Sequence, residues 1–124
     1  MDFPGYFGFH YKNKYYVVRN KDSRKERLGN KIVAEVKQSL LDHSYSLWNS
    51  RIDDVQYGNV QKIPESLNEI LEQKIIPYEL NSVGLPAFKN YSYIINLDTE
   101  QLNVYEGYRV INNYYIDLLT LPSF

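Results

Sequence analysis

The sequence predicts an α+β domain: an antiparallel sheet of about five strands in ββ-ααα-ββ-β order, with the helices packed on one face. Three observations carry this. Residues 5–11 put Phe7, Phe9 and Tyr11 on one face before a short polar turn and the β-branched and aromatic run 15–19, residues 31–74 repeat apolar side chains at spacings of three and four, and residues 91–97 put Tyr91, Tyr93, Ile95 and Leu97 on one side. Strands in two hairpin groups with helices between them suggest an antiparallel sheet with helices packed on one face.

The elements follow in order. Over 5–11, Phe7, Phe9 and Tyr11 fall on one side of a strand. Lys12-Asn13-Lys14 is a tight polar turn whose Asn tolerates positive φ, and Tyr15 to Arg19 returns as the second strand. Residues 20–29 have no apolar period and read as a charged loop. Asn30 is placed to cap a helix over 31–42, with Ile32, Val33, Val36 and Leu40 as its stripe. Ser44 or Ser46 caps a shorter helix that buries Trp48, Ile52 and Val55 and stops at Gly58.

Pro64 fits the first position of a third helix, with Leu67, Ile70 and Leu71 inward. Glu65 early and Lys74 late complement its dipole, and Pro77 ends it. Residues 78–90, with Gly84 and Pro86, read as a loop. Tyr91 to Leu97 forms a third strand, Asp98 to Gln101 turns into Leu102–Tyr105, Gly107 ends that strand, and Tyr114 to Leu118 is the fifth.

Composition narrows the functions. At 124 residues the chain is one domain over 1–124, since two would each be too small to bury a core. It has no Cys, which excludes a disulfide scaffold, a thiolate metal site and a cysteine nucleophile. The two His exclude an all-histidine metal site. No apolar run is long enough to span a membrane, and the first residues lack the pattern of a signal peptide, so the expected location is cytoplasmic, without membrane association. Neither a metal nor another cofactor is expected.

Tyrosine is the unusual feature, with 13 residues against five Phe and one Trp. Its ring with a polar tip suits half-buried sheets and contact surfaces. Charge is unevenly spread although the total is only −1. Residues 12–31 carry eight basic against two acidic side chains, and residues 53–117 carry ten acidic against four basic ones. The positive end therefore lies near the first hairpin.

Few residues have the makings of a site. His10 on a strand and His43 after a helix suit hydrogen bonding better than catalysis. Asp53 and Asp54, adjacent on a helix, diverge by about 100° and cannot share one ion. Glu65, Glu69 and Glu72 read as a solvated helix face. Arg24, Lys25 and Arg27 in the basic loop could hold a phosphate or single-stranded nucleic acid, although a net charge of −1 argues against nucleic acid. The apolar end, Leu118 to Phe124, is expected to dock on the core or on a partner.

The stretch from Tyr15 to Ser23, Tyr-Tyr-Val-Val-Arg-Asn-Lys-Asp-Ser, resembles two families. One comprises uncharacterised small proteins of bacteria, fungi, phages and large DNA viruses. In these a hairpin runs into Asn-x-x-Asp-Ser-Tyr-Pro-x-Gly-Leu-Gly and a later strand reads Tyr-x-Ile-x-Leu-Asp. Asn20, Ser23, Leu28 and Gly29 match, as does the run from Tyr93 to Asp98, while Arg24-Lys25 replaces Tyr-Pro and the first spacing is one residue shorter. That resemblance covers most of the chain and implies no known activity. Abundant Asn, Lys, Ile and Tyr also suit an AT-rich viral or phage genome, in which case the location is the host cytoplasm or the virion.

The other resemblance is to N-terminal-nucleophile hydrolases of the bile-salt-hydrolase type, where a hairpin ends in Arg-Asn-x-Asp, matched by Arg19, Asn20 and Asp22. It implies that Arg and Asp support an N-terminal cysteine. Here there is none, and Asp2 after Met1 disfavours removal of the Met that would expose another nucleophile. The catalytic candidates are thus Arg19, Asn20, Asp22 and Ser23, without a convincing attacking atom. The same residues also fit a plain turn, with Asn20 and Asp22 bonding their own backbone. The expectation is a non-catalytic domain that binds a protein partner, or itself, through exposed Tyr and the apolar tail. The rivals are an amide hydrolase relative and an anionic-ligand binder.

Overall fold

The computed structural model describes residues 3–77 and 88–124. Met1, Asp2 and most of the loop expected over 78–90 lie outside them. The first hairpin forms as read: β1 (Gly5–Tyr11) pairs antiparallel with β2 (Lys14–Asn20), Phe7 opposite Val18 and Phe9 opposite Tyr16. Lys12 and Asn13 make its turn at φ 49° and 63°, the left-handed geometry that a two-residue hairpin demands. At Gly8 (φ 153°) the partner strand comes so close that a Cβ would lie 2.0 Å from the Tyr16 carbonyl oxygen.

The sheet corrects one expectation. Its order is β2-β1-β5-β6-β7, formed with β5 (Tyr91–Asn96), β6 (Gln101–Glu106) and β7 (Arg109–Tyr115). The pairs β5–β6 and β6–β7 are antiparallel, but β1 and β5 run parallel, with Phe7 beside Tyr93 and Phe9 beside Ile95, so the sheet is mixed. The helical excursion between β2 and β5 returns the chain in the direction of β1, and no local hairpin turn dictates that pairing. The two strands at this junction are buried on both faces: Phe7, Phe9, Tyr93, Ile94 and Ile95 have no exposed surface. β7 begins at Arg109 and ends at Tyr115, earlier than expected, because the Asp117 carboxylate accepts from the backbone N–H groups of Leu119 and Thr120 and turns the chain.

The helices lie against one face, as expected. The supposed loop is shorter than expected, for Lys25–Gly29 already forms a wide helical turn that runs unbroken into α1 (Asn30–Leu41). Only Leu28 and Gly29 of that turn are buried, too few to give the sequence a visible period. Asn30 lies inside the helical run and makes no cap; its Nδ2 donates to the Phe124 carbonyl at 2.9 Å and its Oδ1 accepts from the Phe124 N–H at 2.8 Å.

After a left-handed His43 (φ 65°) a 3-10 turn at Ser44–Leu47 leads into α2 (Trp48–Ile52). The third helix, α3 (Leu67–Gln73), starts later than Pro64, because Ser66 takes the capping role and its Oγ accepts from the Glu69 N–H at 3.0 Å. A two-residue parallel pair, β3 (Gln56–Tyr57) with β4 (Ile75–Ile76), joins the ends of α2 and α3.

The main core lies between the helices and the face carrying Phe7, Phe9, Val18, Tyr93, Ile95, Leu102 and Val104. Ile32, Val36, Trp48, Ile52, Leu67 and Ile70 fill it from the helical side, with Trp48 edge-on to Phe9 at 5.4 Å. The opposite face carries a smaller cluster of Tyr6, Val17, Phe88, Ile94 and Tyr105, flanked by Tyr15. Among the described residues no helix is long and apolar enough to cross a membrane.

Candidate functional site: a basic corner at the end of β2

β2 ends in the residues singled out from sequence, and the chain there is pinned by its own beginning. Phe3 forms a parallel bridge with Asp22, donating its N–H to the Lys21 carbonyl at 2.9 Å and accepting from the Ser23 N–H at 2.8 Å. Asn20 Oδ1 accepts from the Asp22 N–H at 2.9 Å, which makes Asn20 a side-chain turn former.

Asp22 is bound on two sides by Arg24: Nε donates to Oδ1 at 2.8 Å and Nη2 to Oδ2 at 2.6 Å. The side-chain hydrogen bonds from Arg24 hold the Asp22 carboxyl down at about 2, so it is anionic under all ordinary conditions. The pair is therefore Asp22 with Arg24. Arg19 is exposed, with no side-chain hydrogen bond or ion pair among the described residues, and lines a depression beside Asn20.

Ser23 is wholly enclosed. Among the described residues its Oγ has no hydrogen-bond partner, and it packs against Gly5, where an added Cβ would come within 2.5 Å of it. Its carbonyl accepts from the buried Tyr93 hydroxyl at 2.8 Å, and burial pushes that hydroxyl well above the ordinary tyrosine range. No substrate can reach the Ser23 hydroxyl in this arrangement.

The structure divides the other basic residues. Arg24 is engaged by Asp22, and Lys25 Nζ lies 5.0 Å above the Tyr91 ring. Arg27 faces a depression of about 270 Å³ with Asn20, Asp22, Leu28 and Lys31. A second depression of about 410 Å³ is lined by Arg19, Asn20, Lys21, Ile63, Pro64 and Glu65. Lys31 was missed from sequence because 20–29 was read as a loop. Once the helical turn is known, Arg27 and Lys31 are four apart on one helical face, and that spacing is the signal.

The remaining candidates are accounted for elsewhere. His10 is half-buried, stacked on Tyr15 at 4.1 Å with its Nδ1 3.5 Å from Asn96 Nδ2; burial lowers its pKa, with Asp98 pulling partly the other way. His43, Asp53 and Asp54 are exposed. Glu69 does more than solvate a face: one oxygen accepts from the Glu65 N–H at 2.5 Å, completing the start of α3. Among the described residues no three His, Asp or Glu side chains gather as metal ligands. No family model, curated protein or solved structure matches the chain.

Proposed function

We propose that this chain is a non-catalytic domain that binds protein, either a partner or a second copy, and that it does so along β7 and the segment after it. The observation that carries this is the state of that edge. Among the described residues β7 pairs on one side only, with β6, and it contains neither Lys nor Pro, the residues that usually guard an open strand. Its one irregularity is a register shift opposite Val104 and Tyr105.

Val110 and Tyr115 are exposed along it, and beyond its end Leu118 is 46% and Leu119 96% exposed. A depression of about 430 Å³ lined by Leu40, Ile116, Leu118 and Leu119 adjoins them. An extended segment added to β7 would satisfy the free backbone groups while its side chains cover this apolar ground. The sealed Ser23 hydroxyl, and Asp22 committed to Arg24, support binding over catalysis. Residence in the cytosol, that of a host if the gene is viral, belongs to the same reading.

The test compares wild type with the double variant Val110→Lys, Leu119→Asp, whose two sites are exposed enough to leave the fold intact. Sedimentation over a concentration series is run for both, together with chemical crosslinking in a host extract. The reading expects either a dimer or one discrete crosslinked species for wild type, lost in the variant. Identical behaviour of the two proteins in both assays would overturn it.

A further inference from the structure

Two depressions meet at Asn20 at the end of β2, and the chemistry of this paired cleft is independent of the β7 edge. Both are lined by Asn20, which stands at their junction. Lys31 spans them, lining the first and donating from Nζ to the backbone carbonyl of Glu65, a lining residue of the second, at 2.6 Å. We propose that this cleft binds a compact small-molecule polyanion carrying two phosphoryl groups, one held by Arg27 and Lys31 and the other by Arg19 and Lys21, with the Asn20 amide donating between them.

The charges of the corner are unequal in availability. Arg24 is neutralised by Asp22 and lies 3.8 Å from Glu26, and Lys25 rests on the Tyr91 ring. Arg19, Lys21 and Arg27 make no side-chain hydrogen bond or ion pair among the described residues, yet all three line the cleft. Cations left unpaired side by side repel one another, and an anion between them relieves that repulsion.

Asn20 adds direction. Its Oδ1 is occupied by the Asp22 N–H, which leaves Nδ2 as the free donor. Two acids also line the cleft. Asp22 is already compensated by Arg24, and Glu65 is outnumbered by Arg19, Lys21 and Lys31.

Size and lining choose the ligand. About 270 and 410 Å³ exceed what one phosphate fills, and the two cationic pairs sit in different depressions, which suits two linked anionic groups. Among the described residues no aromatic side chain lines either depression, so they offer no stacking platform for the bases of a nucleic acid. The apolar walls, Leu28 on one side and Ile63 with Pro64 on the other, suit a small organic body between or beside the phosphoryl groups.

Pyrophosphate, inorganic phosphate and a short single-stranded oligonucleotide serve as probes, titrated into the whole chain by calorimetry and by amide-shift mapping at fixed ionic strength. Saturable pyrophosphate binding is expected, about tenfold tighter than phosphate, with shifts centred on Asn20 and Arg27. Arg27→Gln and Lys21→Gln should each weaken it about fivefold to tenfold, the loss of one charge-assisted contact, at unchanged melting temperature. Lys25→Gln, a charge loss of the same size at a side chain that rests on the Tyr91 ring outside the cleft, should leave it unchanged.

No saturable binding of pyrophosphate would overturn the proposal. Equal losses for Lys25→Gln and Arg27→Gln would do the same, by showing a diffuse field in place of a site. An oligonucleotide that binds more tightly than pyrophosphate would overturn it in favour of a nucleic-acid surface.

Discussion

His10 shows how one side chain on a strand acquires a measurable consequence. It is half-buried against the Tyr15 ring, and loss of water around the imidazole lowers its pKa from 6.5, with the Asp98 carboxylate opposing part of the shift. Sign follows from proton counting. Below the unfolded value the unfolded chain binds the proton more readily than the folded one, so stability from the neutral ring is complete above about 6.5 and declines as pH falls through that value toward the folded pKa. His10→Gln should therefore lose less stability than wild type when urea midpoints are compared at about pH 8 and about pH 5. Equal acid sensitivity in the two proteins would show that His10 is not the responsible group. At this scale the sequence was legible for side chains that act locally, such as Asn20 and Asn13 at their turns. It was illegible for Ser23, whose burial depends on Gly5 lying close in space, and the local Asp22–Arg24 pair was passed over for Arg19.

Among elements, α3 is the plainest case of a short helix held from outside. A helix of seven residues is too short to persist on propensity. Its first turn is satisfied by two devices. Ser66 and Glu69 close the start locally, a pairing written in the sequence as Ser-x-x-Glu, although the Pro64 signal drew the predicted start upstream. The second device is the Glu35 carboxylate of α1, which accepts from the N–H of Leu67 at 2.8 Å and from the N–H and Nδ2 of Asn68, both at 2.9 Å. Nothing local reveals that contact, since Glu35 belongs to another helix.

Ser66→Ala should cost about 1 kcal/mol and Glu35→Ala about 2–3 kcal/mol, the second being larger because it orphans three donors of a partly buried helix start. Denaturant unfolding checks both, and a Glu35→Ala loss below that of Ser66→Ala would remove α1 from this role. The parallel junction of β1 and β5 was hidden for a similar reason. The unbroken apolar run Tyr93-Ile94-Ile95 marks a strand buried on both faces, but not which neighbour it takes.

For the molecule as a whole, the decisive tie joins the last residue to the middle of the fold. The Phe124 ring lies 6.0 Å from Tyr93 on the central β5 and 6.3 Å from Tyr114 on the edge strand β7, and an added Cβ on Gly29 would come within 2.8 Å of it. Asn30 brackets its main chain from both sides. One residue thus fastens the helical turn, the sheet centre and the exposed edge together, which explains how an apolar tail divides, with Leu121 and Phe124 turned inward and Leu119 left outside. Phe124→Ala should cost about 2–3 kcal/mol, somewhat under the value for a fully buried ring. Asn30→Ala should cost about 1–2 kcal/mol, and the double variant less than the sum, because both act on one contact. The loss should also be uneven: hydrogen exchange should quicken most in β7 and in Lys25–Gly29, and least in β1 and β2, which close their hairpin without the tail. Additive losses with uniform exchange would mean that the tail merely covers surface, and the open edge of β7 would then owe its order to β6 alone.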